Sequence, residues 1–468
     1  MWRRRYLLSV LAVLLSTSSA DAEEAPPSPL PSFSLPEALA YARAHQPSIR
    51  AALARWTVRQ TVQQGANARW YPRVGVGIEY LLGTTNNNTA SVINAIPVET
   101  ARIAGTPFSA STNWSPTPSN LAAVRIEQQV YDFGRTAAQA VVSDSLANEA
   151  RAEADIVQLE TAFAVEEAYH GVLAAKDVLR AAEGAVGRAR LNRDYALASV
   201  KAGLLAPVDR SRAEAEVARL EAQLVRAQAG LDLARAVLAA AIGLDHGLVD
   251  ARPLAEEDAN ATPSLDLAVQ QAMERNPAVI RALGRLQTQA AETQALSREF
   301  LPNIRAVGSL YGMAGGAAPE RGERARGGGL LPSVGNWYVA LTLQWEVYDE
   351  VLRNRRRVSQ AESDARRAEL DAVRQMVGLE VERVLLDLRA GRAALPSLEL
   401  AVKAARDHQM QAQARFRAGI GTSIELTDAE ALLIEAEVQL AAGRFAVARA
   451  QVALGRALGR MPVERTSP

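Results

Sequence analysis

The acidic side chains best able to do chemistry lie in two short segments of similar composition. The first segment runs from Gly203 to Asp209 and the second from Gly419 to Asp428. If several copies of the chain brought Asp209, Glu425 and Asp428 together, the ring of carboxylates would favour cations and could bind a divalent metal. The four histidines are scattered without the spacing of metal ligands, so they indicate no metal site.

The sequence contains no recognisable enzyme site and implies no cofactor. It has neither a G-x-S-x-G nucleophile elbow nor a phosphate-binding loop ending in G-K-[ST]. The chain has no cysteine, which excludes thiol catalysis, disulfides and an N-terminal lipid-bearing cysteine. Lys and Arg together number 52, as do Asp and Glu, so no basic excess indicates binding to nucleic acid.

Both acidic segments are typical of tight turns between two helices. In the first, Gly203 suits the C-terminal cap of one helix, Leu204 follows it, and Pro207 suits the first turn of the next helix. The second turn offers the same elements: Gly419, Gly421 and the capping candidates Thr422 and Ser423. Helix geometry alone would explain these glycines, but the two turns are also the best candidates for contact with a partner.

The helices that these turns join are predicted to be very long. No proline interrupts residues 134–200, which predicts a helix of roughly 100 Å at about 1.5 Å per residue. Apolar residues recur every seven positions, as in coiled coils: Val165, Val172, Leu179 and Val186, and later Val381, Leu388, Leu395 and Val402. Asp132 and Asp349 are expected to cap these helices, and Pro396 is expected to cause a kink or a short break.

Four segments alternate apolar and polar residues, the pattern of strands with one apolar face. The clearest is residues 337–347, and the others lie at residues 74–80, 124–130 and 304–311. About 9–11 tilted residues cross a bilayer as a strand, so these segments predict membrane strands. Four strands cannot close a barrel and open sheet edges are not tolerated in lipid. The barrel must therefore be shared among several copies of the chain.

Aromatic residues at the strand ends predict contact with both surfaces of a membrane. One end carries Trp70, Tyr71, Tyr131, Trp345 and Tyr348, and Trp337 lies towards the other end. An ordinary aromatic core is the weaker interpretation, because these residues bracket the strands and the long helices nearly lack aromatics. The long polar connections at residues 84–120 and 313–336 are expected on the outer side of the membrane.

The sequence reads as a tandem duplication preceded by an export signal. Residues 34–72 align without a gap to residues 264–302. Three arginines at residues 3–5, an apolar run at residues 7–15 and small residues up to Ala22 predict a cleaved signal peptide. The expected divisions are a signal peptide (1–22), a proline-rich lead (23–33), the first repeat (34–243), a linker (244–263), the second repeat (264–459) and a tail (460–468).

The repeat, the Tyr-Asp pairs before both long helices and the two glycine-containing turns together resemble the outer-membrane efflux protein family, the TolC-like channels. The resemblance covers nearly all of the sequence after the signal peptide. It implies a mixed α+β membrane protein and a homotrimer, in which four strands per copy form a shared 12-stranded barrel. A periplasmic barrel of coiled-coil helices would continue it.

The resemblance also implies a function and partners. The channel would passively conduct substrates across the outer membrane of a Gram-negative bacterium, as part of an efflux or type I secretion system. A periplasmic membrane-fusion adaptor would dock at the helical turns, and an inner-membrane pump of the RND or ABC type would supply the energy. The substrate stays open, since drugs, metal ions and proteins are all compatible with a wide duct.

The family pattern carries over to four residues of the turns. Asp209 lies where the first hairpin has a tip aspartate, and Asp428 lies where the second has an aspartate of the entrance constriction. Phe416 stands at a position that often holds a gating tyrosine, and Gly421 at one that can hold a gating arginine. These two departures from the family pattern imply that closure of the channel entrance relies on side-chain packing and on the acidic residues of the turns, including Glu425.

A periplasmic coiled-coil adaptor or scaffold is the alternative interpretation, because its helices would show similar heptads. The strands distinguish the two. An adaptor needs no strands with an apolar, lipid-facing side between aromatic residues.

Overall fold

The computed structural model describes residues 30–83, 116–253, 263–315 and 334–460, together with residues 94–95, 98–99 and 114. Several predicted features lie outside the described residues: the signal peptide, most of the proline-rich lead, most of both long strand connections, residues 254–262 of the linker and residues 461–468 of the tail. The expected division of the chain into these segments stays a prediction.

In each half of the described chain two short helices are followed by strands, a long helix and a shorter helix, while the tandem duplication itself stays a prediction. The first half contains β1 (Ser32–Phe33), α1 (Leu35–His45), α2 (Pro47–Gln64), a 3-10 turn (Ala66–Trp70), β2 (Arg73–Gly83), β3 (Asn94–Ala95), β4 (Val98–Glu99), β5 (Thr117–Tyr131), α3 (Arg135–Lys201) and α4 (Pro207–Ile242). After β6 (Asp250–Ala251) come α5 (Leu265–Arg275), α6 (Pro277–Arg298), β7 (Asn303–Gly315), β8 (Val334–Gln344), α7 (Glu350–Arg417) and α8 (Ser423–Ala457). A proline begins both α2 and α6, where its fixed φ suits a first helical turn.

The four predicted strands form one antiparallel sheet in the order β2-β5-β7-β8. Its register places Val76 opposite Val124 and Leu310 opposite Trp337. The side chains on this face are exposed and apolar, among them Val74, Val76, Ile78, Ile126, Leu310, Val339, Leu341 and Leu343. The alternation predicted from the sequence is therefore present, although β8 ends at Gln344 and leaves Trp345 and Val347 outside the strand.

The two joins between strand and long helix differ. Asp349 caps α7 as predicted, because its carboxylate accepts hydrogen bonds from the amides of Val351 and Leu352 at 2.8 and 3.2 Å. The prediction that Asp132 occupies the N-cap position of α3 is wrong, because that position is taken by Gly134, with φ +87°. Asp132 still accepts bonds from the amides of Gly134 and Thr136, at 3.0 and 2.7 Å.

The long helices α3 and α7 contain 67 and 68 residues, so each is about 100 Å long. Of the kink or short break predicted at Pro396, the break is absent, because α7 is helical from Glu350 through Arg417, and the kink stays a prediction. The missing amide hydrogen of Pro396 costs the helix one hydrogen bond, but α7 contacts α8 on both sides of it, through the core around Leu388 before it and the bond from Arg444 to Glu399 after it. Within the described ranges, no helix is both long enough and apolar enough to cross a membrane.

The predicted heptad residues form the packing seams of the helices. Val165, Val172 and Val186 are buried on α3, the first two in a core shared with α1 and α4. Val381, Leu388 and Val402 are buried on α7, the first two in a core shared with α5, α6 and α8. A repeat of seven keeps the same face of a helix towards its neighbour over many turns.

The linker forms a strand pair that the sequence did not predict. β6 pairs in parallel with β1 at the end of the proline-rich lead, with Ser32 opposite Asp250 and Phe33 opposite Ala251. The hydroxyl of Tyr169, a fully buried side chain of α3, donates to the Arg252 carbonyl at 2.6 Å. The small sheet is therefore fixed on the α3–α4 pair.

Candidate functional site

The first helical turn joins α3 to α4 through a left-handed glycine. Gly203 has φ +74°, and the amide of Leu204 donates to the Ser199 carbonyl at 2.9 Å. This closure satisfies the last carbonyls of α3, and Pro207 then begins α4 as predicted. The Leu204 side chain is 77% exposed, and Val208 is also exposed. The turn therefore presents apolar side chains at the end of the molecule.

The second turn joins α7 to α8 and is more tightly built. Gly419 has φ +73°, and the amide of Gly421 donates to the Arg415 carbonyl at 3.0 Å. A Cβ at Gly421 would lie 3.0 Å from both the Arg415 Cβ and the Phe416 backbone nitrogen. The predicted cap Thr422 is confirmed, because its hydroxyl accepts from the Glu425 amide at 3.2 Å.

The two turns contact each other. The Ser423 hydroxyl donates to the Asp209 carboxylate at 2.8 Å, and the Arg212 guanidinium donates to the same hydroxyl at 3.2 Å. The Tyr195 hydroxyl of α3 donates to the Arg417 carbonyl at the end of α7, at 2.8 Å. Asp209 is therefore held between the two hairpins, which the sequence alone did not predict.

The Phe416 ring is 5% exposed and packs in a small apolar cluster with Ala412, Leu426 and Ala429. The Tyr195 ring lies against it with the ring centroids 5.5 Å apart. A tyrosine hydroxyl is thus present beside Phe416, but α3 supplies it. Sequence reasoning missed Tyr195 because it is remote in the chain, at residue 195, and belongs to no recognisable motif.

The remaining acidic candidates, Glu425 and Asp428, are exposed on the first turns of α8. A Glu425 carboxylate oxygen lies 3.9 Å from an Arg415 guanidinium nitrogen, at the outer limit of an ion pair. Among the described residues, no group of three acidic, histidine or cysteine side chains is arranged to hold a metal ion. A ring of these carboxylates would require several copies of the chain.

A buried polar network, also missed from the sequence, lies one to two helical turns further along α8. The Glu430 side chain accepts bonds from Arg188 Nε at 2.9 Å and from Gln409 Nε2 at 2.8 Å. Asn192 Nδ2 lies 3.4 Å from the same carboxylate. Glu430 is 3% exposed and stands on the apolar side of α8 with Leu426 and Leu433. A charged residue on a buried helix face is the signal that could have revealed it.

The aromatic residues predicted at the membrane surface are exposed at the sheet ends: Trp70, Tyr71, Tyr131, Trp337, Trp345 and Tyr348. The Trp345 indole donates to the Phe300 carbonyl at 3.0 Å. The Arg353 guanidinium lies over the Tyr348 ring, 4.6 Å from its centroid. An exposed aromatic body with a bonded polar edge is typical of side chains at a lipid head-group boundary.

An exposed apolar sheet that continues into helices of about 100 Å is the architecture of an outer-membrane channel protein. The family model described as "Outer membrane efflux protein" matches residues 38–244 and 268–460. The chain belongs to this family. Its members are efflux channels of the outer membrane and not enzymes.

Solved structures share the fold at low sequence identity. The outer-membrane channel OprN is 21% identical, with a TM-score of 0.73, over 91% of this chain and 89% of that chain. VceC from Vibrio cholerae is 18% identical, with a TM-score of 0.69, over 91% and 96%. The Campylobacter jejuni channel CmeC is 12% identical, with a TM-score of 0.73, over 91% and 85%. Curated protein sequences include none similar enough to count as a relative.

Proposed function

We propose that three copies of this chain form a channel that passively conducts solutes across the outer membrane. The observation that carries this proposal is the four-stranded sheet, in which β2 and β8 are the terminal strands. Its exposed apolar face suits lipid, where an unpaired strand edge would be costly. Pairing β8 of one copy with β2 of the next removes both edges, and three copies would give a 12-stranded barrel.

Exposed apolar side chains on the helices support the same assembly. One row lies on α4 and another on α7: Val225, Leu233 and Val237, and Met376, Leu379, Leu386 and Leu400. In a single chain these side chains face water, which is unfavourable for a row of this length. Helices of neighbouring copies packed side by side would cover them and form the wall of a periplasmic tube.

The two helical turns are proposed as the docking surface for a periplasmic adaptor. Four exposed apolar side chains surround the left-handed glycines there: Leu204, Val208, Ile420 and Ile424. Such a patch at the end of a helical tube suits the helical end of another coiled-coil protein. The adaptor would connect the channel to an inner-membrane pump of the RND or ABC type.

The same end of the tube is proposed as the channel entrance. Glu425 and Asp428 are exposed there, so three copies would surround the entrance with carboxylates and favour cations. Phe416 would close the entrance through packing, since its ring lies in the contact between α7, α8 and Tyr195.

The competing interpretation, a periplasmic adaptor or scaffold, is tested with a single cysteine at Asn87, in the segment between β2 and β5. The natural chain has no cysteine, so no other residue of this protein reacts. We expect a membrane-impermeant maleimide to label this variant in intact cells. Labelling only after rupture of the outer membrane would contradict a channel that reaches the cell surface.

A cysteine at Leu204 is the matched control, because this exposed side chain lies in the turn at the far end of α3 from the sheet. We expect it to react only after the outer membrane is ruptured. If both variants reacted in intact cells, the outer membrane would be leaky and the labelling would have to be repeated at lower expression.

A further inference from the structure

The face of the sheet opposite the apolar face carries a concentration of arginine side chains. Arg73 lies opposite Glu127, Arg125 lies opposite Gly75, and Arg305 lies opposite Gln129 in the strand register. Residues two apart along a strand share a face, so all these arginines point away from Val74, Val76 and Ile126. In the proposed barrel this face lines the interior.

A cavity of about 250 Å³ lies where this face meets the start of α3. Its lining contains four arginines, two carboxylates and polar side chains: Arg69, Arg73, Arg135, Arg305, Glu127, Asp132, Tyr71, Gln129, Asn303 and Thr136. Arginine provides several donors in a planar fork that matches carboxylate and phosphate oxygens. The composition of the lining therefore suits an anionic group.

Both carboxylates of the cavity are already bonded to other groups. Glu127 accepts from the Arg305 guanidinium at 2.7 Å, so this pair is neutral. The Asp132 carboxylate is 3% exposed and accepts the two amide hydrogens at the start of α3. Neither carboxylate lies within ion-pair distance of Arg69 or Arg73 in the described part of the chain.

Among the described residues, the other arginines of this face have no carboxylate within ion-pair distance. In that part of the chain Arg135 donates to backbone carbonyls, those of Arg298 and Glu299 at the end of α6. Arg125 has the side-chain-free Gly75 on one side, where even an added Cβ would meet no atom within 4 Å. The guanidinium of Arg125 therefore has open space on that side in which to meet a solute.

The excess of positive charge is found on the side of the sheet. A second cavity of about 260 Å³ shares Arg69 and Arg135 with the first, and with Arg355 it has three arginines against the three carboxylates of Glu299, Glu346 and Asp349.

Arg69 and Arg135 line both cavities, and Arg305 of the sheet-side cavity is paired with Glu127. Arg73 lines the sheet-side cavity only. Arg125 lies outside the lining but on the same face of the sheet, opposite Gly75 and therefore next to Arg73. These two are the residues to test.

We propose that Arg73 and Arg125, supported by Arg69, form a basic collar that binds the anionic group of a solute passing through the channel. The collar rests on the proposed channel function and deepens it, because it assigns a class of cargo: molecules with a carboxylate, phosphate or sulfonate group, including those that also carry the positive charge that the acidic entrance favours. The cavity is smaller than the roughly 300–1,000 Å³ of sites for drug-sized ligands, so it accommodates one anionic group and not a whole large molecule. Three copies would give three such sites around one barrel.

The collar is tested by electrical recording of the purified full-length protein in bilayers of neutral phosphatidylcholine, with inorganic pyrophosphate as the probe. We expect pyrophosphate to block the current in KCl, and the block to weaken between 0.1 M and 1 M KCl. The Debye length falls from about 10 Å to about 3 Å over this range, so the attraction between the collar and the anion is screened. A block that is independent of salt would overturn the collar.

The variant Arg73→Gln/Arg125→Gln removes the two unpaired charges. We expect half-block to need about tenfold more pyrophosphate and the reversal potential in a KCl gradient to move towards that of a cation-selective channel. A double variant that is blocked as strongly as the natural protein, with the same reversal potential, would overturn the proposal.

Two further variants separate charge from folding. Arg73→Lys/Arg125→Lys keeps both charges, so it should keep the reversal potential and lose only part of the block, because lysine lacks the planar fork. Arg383→Gln changes an exposed arginine on α7, remote in sequence from the sheet, and should change neither quantity. If the lysine variant behaved like the glutamine variant in both quantities, the role of charge would be contradicted.

The outcome also distinguishes the collar from the channel itself. If the natural protein conducts but pyrophosphate has no effect, the collar is wrong and the channel stands. If neither the natural protein nor Phe416→Ala, which loosens the proposed closure, conducts after insertion, the channel is wrong and the collar falls with it.

Discussion

The two helical hairpins, α3–α4 and α7–α8, are built on similar turns but are held in place differently. Both turns contain a glycine with φ near +73°, and both close with the same bond from the residue after that glycine. The first turn has open space around Gly203, whereas the second brings Gly421 against the backbone of Phe416. The left-handed glycine thus determines the form of each turn, while the surroundings determine which further residues the turn tolerates.

The two hairpins also differ at the ends where their long helices follow the sheet. Asp349 occupies the N-cap position of α7 and is partly exposed. Asp132 is buried, precedes the N-cap residue of α3 by two positions, and accepts hydrogen bonds from two backbone amides. Within the described ranges, the small sheet of β1 and β6 lies on the α3–α4 pair and not on α7–α8, with ion pairs to Asp250. The first hairpin is therefore held by the small sheet, whereas the second is held by its core with α5 and α6 and by the bond from Asn276 to the Ala457 carbonyl.

The largest effect is expected from Glu430→Ala, which removes the buried acid that joins α8 to α3 and α7. The free energy of unfolding should fall by about 3 kcal/mol, because Arg188 would keep a charge in a largely buried site without its partner. Denaturation of the purified protein followed by circular dichroism measures this loss.

Glu435→Ala is the control, since this glutamate is exposed on the same helix and bonds only Gln439 among the described residues. It should change stability by less than about 0.5 kcal/mol. The apolar pair Arg188→Met with Glu430→Leu should recover most of the loss. Equal effects from Glu430→Ala and Glu435→Ala would refute a link between the hairpins through Glu430.

The next largest effect concerns the two aspartates at the strand–helix joins. Asp132→Ala should cost about 2 kcal/mol, because the amide of the buried residue Thr136 would lose its only acceptor at this helix start. Asp349→Ala should cost about 1 kcal/mol, the usual loss for an N-cap that water can partly replace. Amide hydrogen exchange in the first turns of α3 and α7 measures both losses of stability. A larger loss for Asp349→Ala than for Asp132→Ala would contradict the roles given to the two aspartates.

Alanine at either turn glycine should cost about 1 kcal/mol, for different reasons. Gly203→Ala forces a Cβ into a left-handed conformation, whereas Gly421→Ala forces a Cβ against backbone atoms at 3.0 Å. Asparagine tolerates the left-handed region, so Gly203→Asn should recover stability and Gly421→Asn should not. Limited proteolysis at the turns distinguishes the two causes. If asparagine restored stability at both sites, the close backbone contact at Gly421 would not be the cause of the loss there.

The smallest effect is a dependence of the β1–β6 pair on pH. Burial acts to raise the pKa of Asp250, but hydrogen bonds and attraction from Lys176 and Arg235 outweigh it, so the pKa lies below its ordinary value. A lowered pKa in the folded protein gives stability above the ordinary value of about 3.9, and this stability is lost as the pH falls through the folded pKa.

Hydrogen exchange of the Arg252 amide, which donates to Phe33, reports on this pair. Between about pH 5 and pH 3 its protection should decrease in the natural protein. In Asp250→Asn the protection should be weaker and independent of pH over the same range. An unchanged pH dependence in this variant would assign the effect to another group.

Much of the fold could be predicted from the sequence, because its signals are local and periodic. The alternation around Trp337, the heptads through Val165 and Val381, and the turns at Gly203 and Gly419 are all found where the sequence indicates them. Strand and helix periods differ by nearly a factor of two, so a change of period along the chain marks the join between sheet and helix.

The sequence could not predict how the hairpins meet, since that depends on contacts between residues far apart in the chain. Three contacts require α3 to lie beside α7 and α8 at one particular register. They are the hydrogen bond from Tyr195 to the Arg417 carbonyl, the packing of Tyr195 on the buried Phe416 ring and the ion pair between Arg188 and Glu430. A helix with a seven-residue repeat can slide along its partner by whole repeats at little local cost. Only the tertiary structure, through these buried polar contacts, determines which register is adopted.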